Sequence, residues 1–442
     1  MDMDIHFGIQ NILFLAALSV AAFFFAKNFK KIWRNINLGK DIARNDNPNQ
    51  RWALTGKVAF GQSKMVKRKY VAGFFHVLIY AGFVLINIEV AEILIDGILG
   101  THRIFSGPLG PVYDAAINFF EILAVLVILA CVVFLWRRNV NVVHRFKDLK
   151  GWSKKDGNYI LVIELVLMAA LLTLGAAEAN MENMNHDGWL ISGLLAPLFS
   201  SFSQETLVVI ERGAWWFHII GILLFLNYLP YSKHFHIIMA FPNVWYSKLE
   251  PKGQFSNNPA VKKEVELMMD PNADPFAADA GGDEAEGEPE RFGAKDVSDL
   301  NWVQLMNAYA CTECGRCTDS CPANLTGKKL SPRKIMMDTR DRLEEVGQNI
   351  DANKGTFKDD GKSLLDDFIT REELWACTTC NACTEACPVN IDPMGIIVDM
   401  RRYLVMEESS ASSQINTMMT NIENNAAPWA YAQADRANWI NE

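Results

Sequence analysis

CTECGRCTDSCP, from Cys311 to Pro322, and CTTCNACTEACP, from Cys377 to Pro388, decide the reading of this chain. Both runs follow C-x2-C-x2-C-x3-C-P, and together they hold eight of the nine cysteines. The disulfides of a secreted domain sit at scattered spacings, whereas two identical clustered runs point to metal. Zinc also takes four cysteines, but usually from two short C-x2-C hooks. Four thiolates ending in Cys-Pro suit a cubane [4Fe–4S] cluster. In two-cluster ferredoxins the Cys before the Pro reaches across to the other cluster. The expected ligand sets are Cys311, Cys314, Cys317 and Cys387 for one cluster, and Cys377, Cys380, Cys383 and Cys321 for the other. Gly315 and Ala382 are small enough for close backbone approach to inorganic sulfide.

The residues around these runs predict helices. Ser331 and Pro332 offer an N-cap and a first helical position. Thr370 with Glu373 forms a capping box leading into Cys377. Asp392 and Pro393 open a helix through MGIIVDMRRYLVM, whose apolar residues recur at helical spacing. Few strand-like runs intervene, so residues 296–408 read as an α-helical two-cluster ferredoxin domain. Residues 409–442 form a polar, Asn-rich tail. Upstream, 251–295 read as a flexible linker whose centre, DPNADPFAADAGGDEAEGEPE (270–290), is acidic and has almost nothing to bury.

Residues 1–250 differ in kind. A helix needs about 20 apolar residues to cross a bilayer, and five segments qualify: Ile5–Ala26, Tyr70–Ile93, Val112–Trp136, Asn158–Ala177 and Arg212–Tyr231. The stretch from Lys27 to Lys69 holds twelve Lys and Arg and that from Arg137 to Lys155 holds seven, while the alternate loops hold almost none. Such bias puts the N-terminus outside and the C-terminal domain in the cytoplasm, as a multi-pass protein of the cell inner membrane. The first apolar run is too long for a signal core and follows MDMD rather than basic residues. The net charge of −9 comes from the second half, so no nucleic-acid partner is expected. The fold class is all-α: a five-helix transmembrane bundle followed by a helical ferredoxin domain.

Several polar and bulky residues fall in the apolar half. Glu121 and Glu164 lie within spans, where a charged group normally faces a partner or a polar cavity. Glu89 and Glu92 sit near enough the outer boundary to be solvated. Trp215 and Trp216 read as an interfacial anchor, and Cys131 as a packing residue. His76 lies in the second span and His218 in the fifth, with His234 and His236 just beyond it. A lone intramembrane His is often a hydrogen-bonded packing residue, but imidazole is also an axial ligand of haem iron. The two spans run in opposite directions, which brings His76 and His236 to similar depth if the fifth helix continues past Pro230. His218 lies 18 residues before His236, about 27 Å along a straight helix, and belongs near the outer face.

FFHVLIYAGF around His76 and FHIIGILLFLNYLPYSKHFHI (217–237) resemble the five-helix haem-b subunit of respiratory nitrate reductase. They are still more similar to its relatives in heterodisulfide-reductase-type membrane complexes. That resemblance implies haem ligation by His218 and His236 on the fifth helix. On the second helix it implies a pair of histidines, the first matched here by His76 but the second position occupied by Ile86. The inner haem b, His76 with His236, keeps both ligands; an outer haem has only His218 and needs another, for which His102 is a candidate. The helical dicluster part resembles the C subunit of heterodisulfide reductase and the iron–sulfur subunits of glycerol-3-phosphate and succinate dehydrogenases.

The resemblance implies an oxidoreductase subunit. It would pass electrons between the menaquinone or ubiquinone pool, through haem b and two [4Fe–4S] clusters, and a cytoplasmic redox partner. Some fused relatives oxidise electron-transfer flavoprotein and reduce menaquinone. The chain has no Gly-rich dinucleotide fingerprint or P-loop. It also lacks the Cys-Cys repeats of the heterodisulfide-reductase B/D type, so a separate subunit of that type or a flavoprotein is the expected partner. The alternative is a membrane anchor whose clusters are structural and which recruits a soluble redox complex. No signalling or DNA-binding element is left over to support a redox sensor.

Overall fold

The computed structural model describes residues 8–67, 69–181, 189–251, 253–272 and 291–441. Five helices are long and apolar enough to cross a bilayer: α1 (Ile9–Ile36), α2 (Tyr70–Leu99), α3 (Pro111–Asn139), α4 (Gly151–Glu178) and α5 (Gln204–Tyr228). At about 1.5 Å per residue, all exceed a hydrocarbon core of about 30 Å. α4 is the most enclosed, packed between α3 and α5; α2 lies beside α3, and α1 touches both α2 and α5. The outward faces of α1, α2 and α3 carry Leu13, Phe23, Ile88, Leu129 and Val132, all exposed. Such a belt is tolerated where lipid covers it, and the chain is a membrane protein.

Three expectations change at the bundle. α1 does not stop at Ala26 but runs on to Ile36. Ile32 and Ile36 on this extension are buried against the C-terminal domain, so tertiary packing prolongs the helix beyond the lipid. α5 does not continue past Pro230. Its last turn tightens over Leu229–Tyr231, and Ser232 is extended (φ −119°, ψ 150°). A second turn, Lys233–Phe235, then leads into α6 (His236–Trp245). Proline lacks the amide hydrogen and clashes with the preceding turn, which explains the break. Glu89 and Glu92 are buried rather than solvated. Glu92 accepts from Tyr113 Oη (2.8 Å) and the Phe105 amide (2.9 Å), because the loop after α2 folds back over it.

The C-terminal half adds α7 (Trp302–Ala310), α8 (Pro332–Ala352), α9 (Arg371–Ala376) and α10 (Pro393–Met406). Among the described residues there is no strand, only two isolated bridges. Ser331 caps α8 through the Lys334 amide, Thr370 and Glu373 form the capping box of α9, and Asp392 caps α10 through the Gly395 amide. The segment between the halves contains a helix, Pro259–Met269; the acidic run from 273 to 290 lies outside the described residues. The tail contains an exposed helix, Ser413–Asn425.

One hydrophobic core crosses the junction. Ile32, Ile36, Phe235 and Met239 from the bundle end are buried with Leu305, Met306 and Ala310 of α7. Burying a large apolar side chain contributes roughly 1.5–3 kcal/mol. The partly exposed pairs at the rim, such as Lys31 with Asp351 (2.7 Å), give under about 1 kcal/mol each. Docking is therefore mainly hydrophobic, with polar contacts fixing its register. The Lys40 amide donates to the Leu300 carbonyl (2.8 Å), and the Lys40 carbonyl accepts from the Trp302 amide (3.1 Å). A Cβ on Gly39 would lie 2.7–2.8 Å from that backbone, so the approach requires glycine.

Candidate redox site at the junction

The first cysteine run leaves α7 at Cys311 and turns sharply. Glu313 adopts φ +55° and Gly315 φ +71°. A Cβ at Gly315 would also press on Arg145 and Arg333, at 3.1 and 3.0 Å. The small residue is thus required by backbone conformation and by the approach of two arginines. In the second run Thr379 (φ +55°) and Asn381 (φ +59°) make the equivalent turns. The thiols fall into two groups by electrostatic proximity. Cys317 is influenced by Cys314, Cys311 and Cys387 and, last, by Cys383, so the two groups adjoin. Cys377 is influenced by Cys321 and Cys380, and Cys383 by Cys377.

These groups fit iron–sulfur clusters. Burial pushes the Cys311 and Cys383 thiols up to about 12 and Cys387 to about 11. Thiols buried this way are neutral on their own, and they give up their protons to become cluster ligands only where iron compensates the charge. The Thr379 amide points at Cys377 Sγ (3.4 Å) and the Ile391 amide at Cys387 Sγ (3.3 Å), contacts of the kind that tune a cluster's potential. Cys380 is the one exposed cysteine, which puts the second group at the surface.

The first group faces the bundle. A cavity of about 250 Å³ is lined by Cys311, Cys314, Cys317 and Cys387 together with His76, His234 and His236. The His76 and His236 rings lie 6.3 Å apart, centroid to centroid. Two metal–imidazole bonds of roughly 2 Å each, added to half of each ring, give about that separation. His236 Nδ1 is 3.1 Å from the Lys233 carbonyl, a contact that directs Nε2 elsewhere. His76 Nδ1 is buried without a partner. His234 packs at a tilt on Phe225, 5.2 Å between centroids, and burial lowers it to about 3, so it is a neutral ring in this wall.

His218 is not in this cavity. It is buried on α5 with Nδ1 3.0 Å from the Leu167 carbonyl and Nε2 unpartnered. His102 is engaged elsewhere, with Nε2 3.1 Å from Glu178 and 3.9 Å from Glu211. A second cavity, about 350 Å³, opens at this far end of the bundle between Glu89, Glu92, Asp96, His102 and the aromatic wall of Phe14, Trp215 and Trp216. The two tryptophans pack on Phe14 of α1, at 5.7 and 6.3 Å, which ties α5 to α1. Glu121 accepts from the Ile191 amide (2.7 Å); Glu164 is half-buried beside Cys131.

Sequence reasoning missed the charged residues that join the two halves. Glu313 accepts from Lys233 Nζ (2.7 Å) and Arg340 (2.6 Å). Burial opposes its charge, but these two cations hold its carboxyl at about 2. Arg316 donates to the Met65 carbonyl (2.8 Å), and Arg333 to the carbonyl of Arg145. Lys64 reaches Asn390 (2.9 Å), and Lys69 pairs with Asp319 (3.2 Å). The Lys/Arg-rich loops thus lie at the same end as the cysteine domain and clasp it. A signal was present in the unlike spacers of the two cysteine runs, Glu-bearing TE against TT, but the partner Lys233 belongs to the other half of the chain.

Fold and site together define a membrane protein that carries an iron–sulfur dicluster domain. Residues 310–391 match the 4Fe-4S dicluster domain family. Over 98% of its length the chain is 31% identical to a probable iron-sulfur-binding oxidoreductase, FadF, of Bacillus subtilis. It is 28% identical, again over 98%, to the EtfAB:quinone oxidoreductase of Syntrophomonas wolfei. These alignments cover 61% and 59% of the relatives, so the chain spans about three-fifths of their length. A probable membrane-anchored ferredoxin of Chromohalobacter salexigens is 32% identical over 34% of this chain and 24% of its own. Heterodisulfide reductase subunits C and D of Methanosarcina match over shorter stretches. No solved structure matches.

Proposed function

We propose that this chain carries electrons between a quinone in the bilayer and a cytoplasmic redox partner, through one haem b and two [4Fe–4S] clusters. The observation that carries this is the shared cavity, where His76 and His236 of the bundle face the cysteines of the first cluster. His76 and His236 would hold the haem; Cys311, Cys314, Cys317 and Cys387 the inner cluster; Cys377, Cys380, Cys383 and Cys321 the outer one. When bound, these groups supply the one-electron carriers. The chain's own residues orient the imidazoles, keep water from the buried thiols and fix the two halves in register. The exposure of Cys380 supports the second cluster as the one that meets the partner.

The partner is a flavoprotein or a Cys-Cys-repeat subunit, in keeping with the relative named for EtfAB and quinone. Menaquinone or ubiquinone is the membrane substrate, and the bias of basic residues supports a cytoplasmic position for the cysteine domain. His218 keeps one ring nitrogen without a hydrogen-bond partner, while His102 is held by Glu178 and Glu211, so among the described residues an outer haem has no second ligand in place. The test is to add a reduced quinol analogue to purified protein and follow haem and cluster absorbance. Reduction of both supports the conduit. Porphyrin-free protein whose clusters do not respond to quinol supports the anchor instead.

A further inference from the structure

Three facts converge on Lys233. Its carbonyl receives the His236 contact (3.1 Å), its ammonium pairs with Glu313 (2.7 Å) and donates to the Ser153 carbonyl (2.6 Å), and its amide is bound by Asp156 Oδ2 (2.9 Å). Glu313 in turn lies between Cys311 and Cys314, is 3% exposed and turns through φ +55°. One ion pair therefore ties the loop holding a haem-ligand candidate to the loop wrapping the first cluster. Asp156 fixes the bundle side of this tie, also accepting from Tyr228 and from Ser232 (2.7 Å). Arg340 of α8 fixes the cluster side.

We propose that Lys233 and Glu313 are paired positioning residues that hold the bundle-facing cluster against the haem site and set that cluster's reduction potential through their opposite charges. This rests on the electron-transfer reading for its purpose, but it is read out on the cluster alone. Reduction adds negative charge, so a nearby cation raises a centre's potential and a nearby anion lowers it. In a dry junction these effects are only weakly screened. Lys233 and Glu313 oppose one another, while Arg340 on the cluster side and Asp156 on the bundle side add one charge of each sign.

The test uses the full-length purified protein and compares Glu313→Gln, Lys233→Met and Lys233→Arg. The readouts are iron content and the midpoint potential of each cluster, followed by paramagnetic resonance. Glu313→Gln should raise the potential of the bundle-facing cluster, and Lys233→Met should lower it. Lys233→Arg should bring it back toward the parent value, while the surface cluster hardly moves in any variant. A merely structural tie gives a different pattern: both neutral variants shift in the same direction or lose iron together. That pattern, or an unmoved potential with full iron content, overturns the proposal. Should Lys233→Met fail to assemble, Glu313→Gln against Lys233→Arg still decides the sign. Absence of haem absorbance in the parent protein would defeat the function proposed above without touching this comparison.

Discussion

His76 and His236 come from opposite ends of the bundle's sequence, yet their rings stand 6.3 Å apart on the walls of a cavity that also exposes four cysteines. Only one of the two rings rides on a spanning helix. α2 delivers His76 two turns above its start, and a broken connection after Pro230 delivers His236 at the head of a new helix.

His76→Ala or His236→Ala should abolish the haem-b absorbance. Either variant should keep about eight irons per chain, the content of two cubanes. His218→Ala should leave that absorbance in place, since its hydrogen bond is to the Leu167 carbonyl and it lies outside the junction cavity. Visible spectra and iron assays on the three proteins check this. Equal loss in all three would mean that the junction pair alone does not anchor the porphyrin.

The crossed cysteine assignment predicts which cluster each variant damages. Cys387→Ser should disturb the bundle-facing cluster despite lying in the second run, and Cys321→Ser the surface cluster despite lying in the first. Each should remove about four irons per chain, the content of one cubane. Cys131→Ser, in a fully buried packing position, should leave iron unchanged. Chelators should strip the cluster beside the exposed Cys380 first. Paramagnetic resonance of each variant distinguishes the two clusters.

What the sequence made legible was local or periodic. Cysteine spacing, apolar run length and the caps at Ser331, Thr370 and Asp392 each depend on residues within a few positions. The features it hid are contacts over long separation. Glu92 looked solvated because the fold-back of the following loop onto Tyr113 and Phe105 is not a local property. The extension of α1 to Ile36 depends on the distant C-terminal domain, through Asn35 and Tyr309 (2.9 Å). The Lys233–Glu313 pair joins two loops from different halves, and the Glu in the first cysteine spacer says nothing by itself of a partner in the other half. The Lys/Arg bias was visible, but not that much of it grips the cysteine domain.

Arg342 makes the strongest stability prediction. It is 0% exposed and forks to Asp296 (2.7 Å) and Asp360 (2.6 Å), with a further bond to the Lys362 carbonyl (2.8 Å). Removing one partner of a buried pair typically costs about 3–5 kcal/mol. Arg342→Met should fall at the lower end, since Asp296 also accepts from the Val297 and Leu364 amides. Asp351→Ala removes two partly exposed pairs, with Lys31 and Arg34, and should cost under about 1 kcal/mol. Chemical denaturation of the two variants should separate them clearly; similar midpoints would show that the domain tolerates an uncompensated carboxylate pair.

The loop after α2 should give the bundle a pH dependence at its far end. Burial disfavours a charge on His102, but its contacts with Glu178 and Glu211 prevail and raise it from 6.5 to about 9. A raised folded value means that the folded state holds the proton more tightly than the unfolded one. The stabilisation is therefore complete below pH 6.5 and is lost as the pH climbs through about 9. Because about a third of the side chain is exposed, solvent screening limits the contribution to under about 1 kcal/mol. Thermal unfolding of detergent-solubilised protein should show Tm falling modestly between pH 6.5 and pH 9, and His102→Gln should flatten that fall. The two carboxylates keep their guanidinium partners, Arg103 on Glu178 and Arg212 on Glu211, so the variant should lose the slope without losing the fold. A wild-type Tm that stays level across this interval, or rises, would show that the imidazole is not charged in its place beside Glu178.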